Sequence, residues 1–245
     1  MKTNPWLRIV ILGAIAAGIA TGVAFYAIRL ADGPSADSIA PLTLDPVLVA
    51  QTRVRASVGD AAAQLQMGVW CLGGRGYPQD NRQAAEWLRP AAESGSAEAQ
   101  YHLATLYQAG RGVERDFTNA LSWFKKAAAQ RHVAALYNLG SMYEAGQGSV
   151  RDSEAAAGYF RQAAELGDAY AQYNMARRCE EGHGVPRNLV EAWKWYELAN
   201  AGGVHDTLHA RAAIAFRLTG EQLRQARRSV EAFRRQSAVS RKRSP

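Results

Sequence analysis

Apolar and polar positions repeat along this chain with a period of 36 residues, from residue 59 to residue 202. Each period holds two stretches in which apolar residues recur three or four positions apart, the spacing of one face of an α-helix. In the first stretch the apolar pairs are Ala63 and Met67, Ala99 and Leu103, Ala135 and Leu139, and Ala171 and Met175. In the second stretch an aromatic residue follows an alanine by three positions, at Trp87, Trp123, Tyr159 and Trp195. The pattern predicts four helix pairs, over residues 59–94, 95–130, 131–166 and 167–202.

A turn signal separates the two predicted helices of every copy. It is a Gly-x-Gly motif followed, four residues after its second glycine, by a short polar side chain: Asp80, Asp116, Asp152 or Asn188. Glycine gives the backbone the freedom to turn. The polar side chain accepts hydrogen bonds from the free N–H groups at the start of the second helix. Four copies of constant length indicate a solenoid of helix pairs.

The segment before the first copy is predicted to cover its open end, because a terminal repeat otherwise leaves an apolar face in water. Asp45-Pro46 combines an N-cap residue with a proline at the first helical position. We therefore predict an N-terminal capping helix over residues 45–58. Residues 31–44 are rich in Gly, Pro, Ser and Asp, and are predicted to be a linker.

The segment after the fourth copy is predicted to close the other end. Residues 203–236 continue the pattern as a partial fifth repeat and a C-terminal capping helix. Thr219 and Gln222 have the spacing of a capping box at the start of that helix. Residues 237–245 show no apolar pattern, and are predicted to be a basic disordered tail.

The N-terminus contains an apolar run that is long enough to cross a membrane. It begins at Ile9, ends at Ile28 and consists of 20 uncharged residues, which at helical rise match the hydrocarbon thickness of a bilayer. Residues 1–30 are therefore predicted to be a transmembrane anchor. A cleaved signal peptide is the alternative, but its apolar region is usually shorter and ends in an A-x-A-like site. The sequence Pro34-Ser35-Ala36 fits such a site poorly.

Basic residues near the apolar run predict its orientation. Lys2, Arg8 and the terminal amine precede the run, whereas Arg29 follows it and is succeeded by Asp32 and Asp37. The positive-inside rule then places the N-terminus in the cytoplasm. The sequence predicts a single-pass protein of the inner membrane with its repeats in the periplasm.

The net charge of +7 is concentrated at the C-terminus. From Glu221 onward the chain has eight Arg or Lys residues against two Glu residues. The repeats are close to neutral, which argues against nucleic acid bound along them. The Arg-rich C-terminus is predicted to attract anionic polymer, lipid headgroups or an acidic partner. A closing helix with a frayed basic end is the alternative interpretation.

The repeated pattern resembles the Sel-one-like repeat, a tetratricopeptide-related helix pair. The resemblance covers about 60% of the chain and is clearest over residues 99–128 and 135–164. It is weakest over residues 63–92, where Cys71 replaces Tyr and Pro90 interrupts the second helix. The resemblance implies an all-α, right-handed α-solenoid. It also implies protein–protein interaction, often as an adaptor in bacterial envelope or signalling systems, with no particular ligand.

Polar residues that recur three or four positions apart line one face of the first helices. The resemblance to tetratricopeptide repeats places this face on the concave surface of the solenoid. Amide and hydroxyl groups there are able to hydrogen-bond an extended peptide or a partner loop. A solvated helix face is the alternative. The predicted partner-binding residues are Gln66, His102, Thr105, Asn138, Ser141, Asn174 and Arg177.

Candidate catalytic and metal-binding residues do not form a site in the sequence. Cys71 and Cys179 occupy the same position three repeats apart. At roughly 8–10 Å between packed helices, they lie too far apart for a disulfide, which needs Cα atoms within about 7 Å. We predict two buried free thiols. His205 and His209 have i,i+4 spacing without a third ligand, which favours a packing role. No catalytic or cofactor motif is present, so no cofactor or metal is predicted.

These features together predict a non-enzymatic interaction scaffold or adaptor at the bacterial cell envelope. Two alternatives stay open. The first is an envelope hydrolase acting on lactam or cell-wall substrates, an activity associated with relatives that carry a cysteine pair in every repeat. This chain lacks those pairs. The second is a cytoplasm-facing anchor whose basic tail binds nucleic acid or another anionic polymer.

Overall fold

The computed structural model describes residues 44–74, 77–205 and 207–243, the last four of these without their side chains. The predicted anchor (residues 1–30) and all but the last residue of the predicted linker (residues 31–44) lie outside the described residues. Within the described residues there are eleven α-helices and no strand, so this part of the chain is an all-α helical repeat solenoid. None of the described helices combines the length and apolar character that crossing a bilayer requires.

The helices follow each other in pairs. The first helices of the four repeats are α2 (Ala61–Gly73), α4 (Ala97–Ala109), α6 (Val133–Ala145) and α8 (Ala169–Glu181). The second helices are α3 (Asn81–Glu93), α5 (Phe117–Ala129), α7 (Ser153–Glu165) and α9 (Leu189–Ala201). The flanking helices are α1 (Pro46–Ser57), α10 (Thr207–Arg217) and α11 (Gly220–Arg243).

The predicted helix starts are confirmed. Asp80, Asp116, Asp152 and Asn188 each accept hydrogen bonds from two backbone N–H groups of the second helix that follows. Asp45 caps α1 by accepting from one backbone N–H group, that of Val47, at 2.9 Å. At α11 the capping box is present, since Thr219 N donates to Gln222 Oε1 at 2.9 Å and Gln222 N donates to Thr219 Oγ1 at 3.2 Å.

Two expectations about helix ends are wrong. Pro90 does not interrupt the second helix of the first repeat, because α3 continues through it to Glu93. Pro90 lies in the last turn of α3, and the only hydrogen bond it removes is the one that its N–H group would donate to the carbonyl of Glu86, an exposed residue. The predicted disorder from residue 237 is replaced by helix, because α11 continues to Arg243. No Gly or Pro interrupts that stretch.

The core is formed where each first helix packs between its own second helix and the helix that precedes it, which is α1 for the first repeat and the second helix of the preceding repeat for the others. The apolar positions predicted for the first helices are buried, including Met67, Leu103, Leu139 and Met175 at 0% exposure. In the second helices of the first three repeats the largest buried side chain comes directly after the predicted aromatic position. These side chains are Leu88, Phe124 and Phe160.

In the second, third and fourth repeats, the second glycine of the Gly-x-Gly turn carries the contact with the preceding repeat. Gly112, Gly148 and Gly184 have φ values of 71°, 73° and 68°. A Cβ atom on them would lie 2.2 Å from Asn81 C, 2.3 Å from Phe117 O and 2.0 Å from Ser153 O. These are backbone atoms at the start of the preceding second helix, so side chains are excluded for two reasons, the backbone conformation and the close approach.

Buried glutamines connect successive repeats on the side opposite these turns. Each donates from Nε2 to a carbonyl near the end of the preceding helix, a group that has no partner within its own helix. The pairs are Gln64 with Ala56 O at 3.2 Å, Gln100 with Ala92 O at 3.0 Å, and Gln172 with Ala164 O at 3.1 Å. The repeats are therefore joined by hydrogen bonds as well as by apolar packing.

Candidate partner-binding surface

The seven residues predicted to bind a partner lie on α2, α4, α6 and α8, and we call them the first-helix stripe. Gln66 and Arg177 are exposed. The other five are half-buried: His102, Thr105, Asn138, Ser141 and Asn174. All seven side chains are therefore at least partly accessible to solvent.

Two asparagines of the first-helix stripe are held in fixed orientations. Asn138 Nδ2 donates to Ala134 O at 3.0 Å. One repeat later, Asn174 Nδ2 donates to Tyr170 O at 3.0 Å and to Tyr137 Oη at 3.4 Å. Both amide groups are thereby fixed to their own helices, and the amide of Asn174 is also fixed to a tyrosine of the preceding repeat.

Burial raises the pKa of Tyr101 and Tyr137, so both phenols stay protonated and neutral at physiological pH. Among the described residues no donor reaches the Oδ1 atom of Asn138 or Asn174, and neither oxygen is a buried atom without a partner. The two amide oxygens are therefore available as acceptors, one repeat apart, on adjacent first helices.

The hydroxyl groups of the first-helix stripe also keep the capacity to accept hydrogen bonds. Thr105 Oγ1 donates to His102 O at 2.7 Å, and Ser141 Oγ donates to Tyr137 O at 3.3 Å, so both hydroxyl hydrogens are used within their own helices. The lone pairs of the two hydroxyl oxygens remain available to accept hydrogen bonds from a partner. Arg177 forms a surface ion pair with Glu181 at 3.1 Å. The centre of the stripe is therefore rich in acceptors and has no free charge of its own.

His102 belongs to a cluster that connects the second and third repeats. The carboxylate of Glu98 lies between two imidazoles, 3.2 Å from His102 Nε2 and 3.0 Å from His132 Nε2. His132 also caps α6, because its Nδ1 accepts from Ala135 N at 3.2 Å, so its Nε2 carries the hydrogen that Glu98 accepts. Tyr101 stacks on the His132 ring at 4.7 Å. Burial lowers the pKa of His102.

Sequence reasoning missed this cluster, although a signal was present. His132 occupies the capping position that holds Asp60, Ser96 and Asp168 in the other repeats. An imidazole at that position changes the cap from an oxygen acceptor to a nitrogen acceptor, and brings a ring against Tyr101.

A buried arginine connects the third and fourth repeats, and sequence reasoning also missed it. Arg178, whose side chain is 9% exposed, forms an ion pair with Glu144. It also donates to Ser153 O and His183 O, both at 3.3 Å, and lies 5.0 Å from the centre of the Phe160 ring. The signal was an arginine at the position that Leu106 and Met142 fill in the two preceding repeats.

The predicted free thiols are confirmed. Cys71 and Cys179 are both buried and unpaired. Burial raises the pKa of each thiol to about 11, which keeps both protonated and unreactive at physiological pH. His205 and His209 are exposed, and no group of three or more potential ligands in the described part of the chain is able to hold a metal ion.

Comparisons with known proteins agree with this architecture. A family model described as the Sel1 repeat matches residues 61–96, 97–132, 133–168 and 169–204. A crystal structure of a Sel1 repeat protein from Oxalobacter formigenes is 27% identical with a TM-score of 0.62, and the match covers 69% of this chain and 67% of that chain. The comparison with curated proteins gives no match.

A second solved structure extends the likeness over more of the chain. It is a protective antigen present in uropathogenic Escherichia coli strains, which displays an SLR fold. It is 27% identical with a TM-score of 0.51, and the match covers 80% of this chain and 51% of that chain. This chain therefore spans about half the length of that relative. Because the four matched segments make up more than half of its residues, the chain belongs to the Sel1 repeat family, whose members are generally protein-interaction scaffolds.

Proposed function

We propose that this protein is a non-enzymatic scaffold of the bacterial cell envelope that recognises a protein partner through the first-helix stripe, on the concave side of the solenoid. The observation that carries the proposal is the pair of fixed amide acceptors, Asn138 Oδ1 and Asn174 Oδ1, on adjacent repeats. The general role of Sel1 repeat proteins as interaction scaffolds supports it.

The arrangement fits an extended segment of the partner. Acceptors that are already oriented bind backbone N–H groups without a further loss of side-chain freedom. Packed helices lie about 8–10 Å apart, and an extended chain rises about 3.3 Å per residue. An extended segment crossing the first helices would therefore present one N–H group to each repeat about every third residue.

Binding to this surface is tested by panning a library of linear peptides against the full chain in a non-ionic detergent. For the peptides recovered, the Asn138→Ala/Asn174→Ala variant should weaken Kd by roughly 10- to 100-fold, because each lost hydrogen bond is worth about 1 kcal/mol or slightly more. Ser122→Ala, on the exposed side of α5, is the matched control and should leave Kd unchanged. The proposal would be contradicted if none of the recovered peptides bound the double variant more weakly than the wild type.

The envelope location rests on residues 1–30, with the apolar run from Ile9 to Ile28 in the inner membrane and the repeats in the periplasm. The test is a C-terminal fusion to a reporter enzyme that is active only outside the cytoplasm. An active fusion supports this orientation. A silent but well-expressed fusion would reverse it, and anionic lipid or polymer at the Arg-rich C-terminus would then be the ligand to examine.

A further inference from the structure

A cleft of about 1130 Å³ lies between the C-terminal half of α11 and the end of the fourth repeat. Its apolar wall includes Trp195 and Phe233, whose rings meet edge to face at 5.6 Å, together with Leu198. Three cations line it: Arg131 from the loop before α6, Lys194 from α9 and Arg234 from α11. Glu165 is the one acidic residue that lines it. The cleft therefore combines an apolar wall with an excess of positive charge.

Arg131 has an unusual backbone conformation. Its φ of 63° makes it the one residue other than glycine at positive φ in the described part of the chain. The equivalent positions of the other repeats are all glycines at positive φ: Gly59, Gly95, Gly167 and Gly203. At positive φ, a residue with a side chain has a steric energy cost that glycine does not have. Strained residues of this kind concentrate at functional sites.

The side chain of Arg131 has no structural role that would account for this cost. It is exposed, and it forms no ion pair with any described residue. By contrast, Lys194 is 3.1 Å from Glu191, and Arg234 is 3.5 Å from Glu197. Arg131 is therefore the cleft cation whose guanidinium is free to meet a ligand carboxylate with both of its N–H edges.

We propose that this cleft binds a segment of a partner protein in which carboxylates alternate with apolar side chains. Arg131 and Arg234 contact the carboxylates, and Phe233, the half-buried member of the apolar wall, receives an apolar side chain. The site goes beyond the proposed function, because its residues belong to α9, α11 and the loop before α6, and none of them is part of the first-helix stripe.

Two features favour a peptide over other anions. Trp195 is 4% exposed, and its ring is covered by Lys194 Nζ at 4.3 Å and by Phe233, so it offers no free face on which a base stacks. The cleft has three cations beside an apolar wall, whereas segments that bind anionic headgroups rely on exposed clusters of about four to eight basic residues.

The proposal is tested with the full chain in a non-ionic detergent and a fluorescent eight-residue peptide in which Asp alternates with Leu. We expect the peptide to bind, and the Arg131→Gly/Arg234→Gln variant to weaken Kd at least tenfold. The control is Arg111→Gly. It removes an exposed arginine from the turn between α4 and α5, outside the cleft, and should leave Kd unchanged. Arg131→Gly alone restores the glycine found in the other repeats, so its melting temperature should not fall.

Three results would overturn the proposal. One is equal affinity for an analogue with Asn in place of Asp. Another is unchanged binding to the Arg131→Gly/Arg234→Gln variant. The third is tighter, variant-sensitive binding of a single-stranded oligonucleotide or of phosphatidylglycerol vesicles, which would assign the cleft to phosphate ligands. The Asn138→Ala/Asn174→Ala variant should bind the Asp–Leu peptide normally, which separates this site from the first-helix stripe.

Discussion

The junctions between repeats are of two kinds. At the regular junctions, which lead into α2, α4 and α8, a glycine at positive φ is followed by an oxygen N-cap, and a buried glutamine hydrogen-bonds the preceding helix. At the irregular junction, which leads into α6, all three elements are replaced, by Arg131, His132 and Leu136. The helices on both sides nevertheless have the same length of 13 residues.

Other side chains hold the irregular junction together. Gln130 Nε2 donates to Gly95 O at 2.9 Å and to Gln100 Oε1 at 3.0 Å. His132 caps α6 and binds Glu98, as described above. The comparison shows that the helix pairs set the spacing of the solenoid, and that different sets of side chains are able to satisfy the same junction. The irregular junction is also the one that supplies Arg131 to the C-terminal cleft.

The largest effect is expected where the two kinds of junction are alike, at the second glycine of the turn. Gly148→Ala places a Cβ at positive φ and 2.3 Å from Phe117 O, and should lower the free energy of unfolding by about 3 kcal/mol. Gly158→Ala is the matched control, because it lies in α7 with no atom within 4 Å of the new Cβ, and should stabilise by about 0.5–1 kcal/mol. Chemical denaturation followed by circular dichroism measures both. Equal effects would contradict the close-approach argument.

A smaller effect is expected at the junction between the third and fourth repeats. Glu144→Gln leaves the buried guanidinium of Arg178 without its counter-charge, and should cost about 2 kcal/mol, less than a fully buried pair because Glu144 is 36% exposed. Arg178→Met removes the buried charge itself and restores the apolar type found at Leu106 and Met142. It should change stability by less than about 1 kcal/mol. If both variants lost the same stability, the ion pair would not be the cause.

The irregular junction itself yields the next prediction. Arg131→Gly removes the steric cost of a side chain at positive φ, which stabilises the folded state. It also adds backbone freedom to the unfolded chain, which opposes that gain, so a net stabilisation of about 0.5 kcal/mol is expected. Gly167→Arg is the converse change at a regular junction and should destabilise. Both are measured by denaturation. A loss of stability in Arg131→Gly would show that the Arg131 side chain supports the fold.

The smallest expected effect is a pH dependence. Burial lowers the pKa of His102 below its ordinary value of 6.5, with Glu98 opposing and His132 reinforcing the shift. The unfolded chain therefore binds the proton more readily than the folded chain, and stability should fall as the pH drops through and below that value. His102→Asn, which introduces the residue found at positions 138 and 174, should flatten the profile of melting temperature between neutral and mildly acidic pH. An unchanged profile would exclude His102 as its source.

The sequence alone determined the local features of this protein. The 36-residue period, the helix pairs, the N-caps at Asp80, Asp116 and Asp152, and the family all follow from spacing and side-chain type, because a helix and its cap are decided within a few residues. The two buried thiols also followed, since a fixed period gives their separation.

Only the tertiary structure decided which residues of different repeats meet. The pairing of Glu98 with His132, of Glu144 with Arg178 and of Asn174 with Tyr137 joins residues more than 30 positions apart. A repeat period gives the position of a residue within its own helix, but not the direction in which a long polar side chain crosses to its neighbour. That direction is decided by the burial and the hydrogen-bond partners that the packed helices supply.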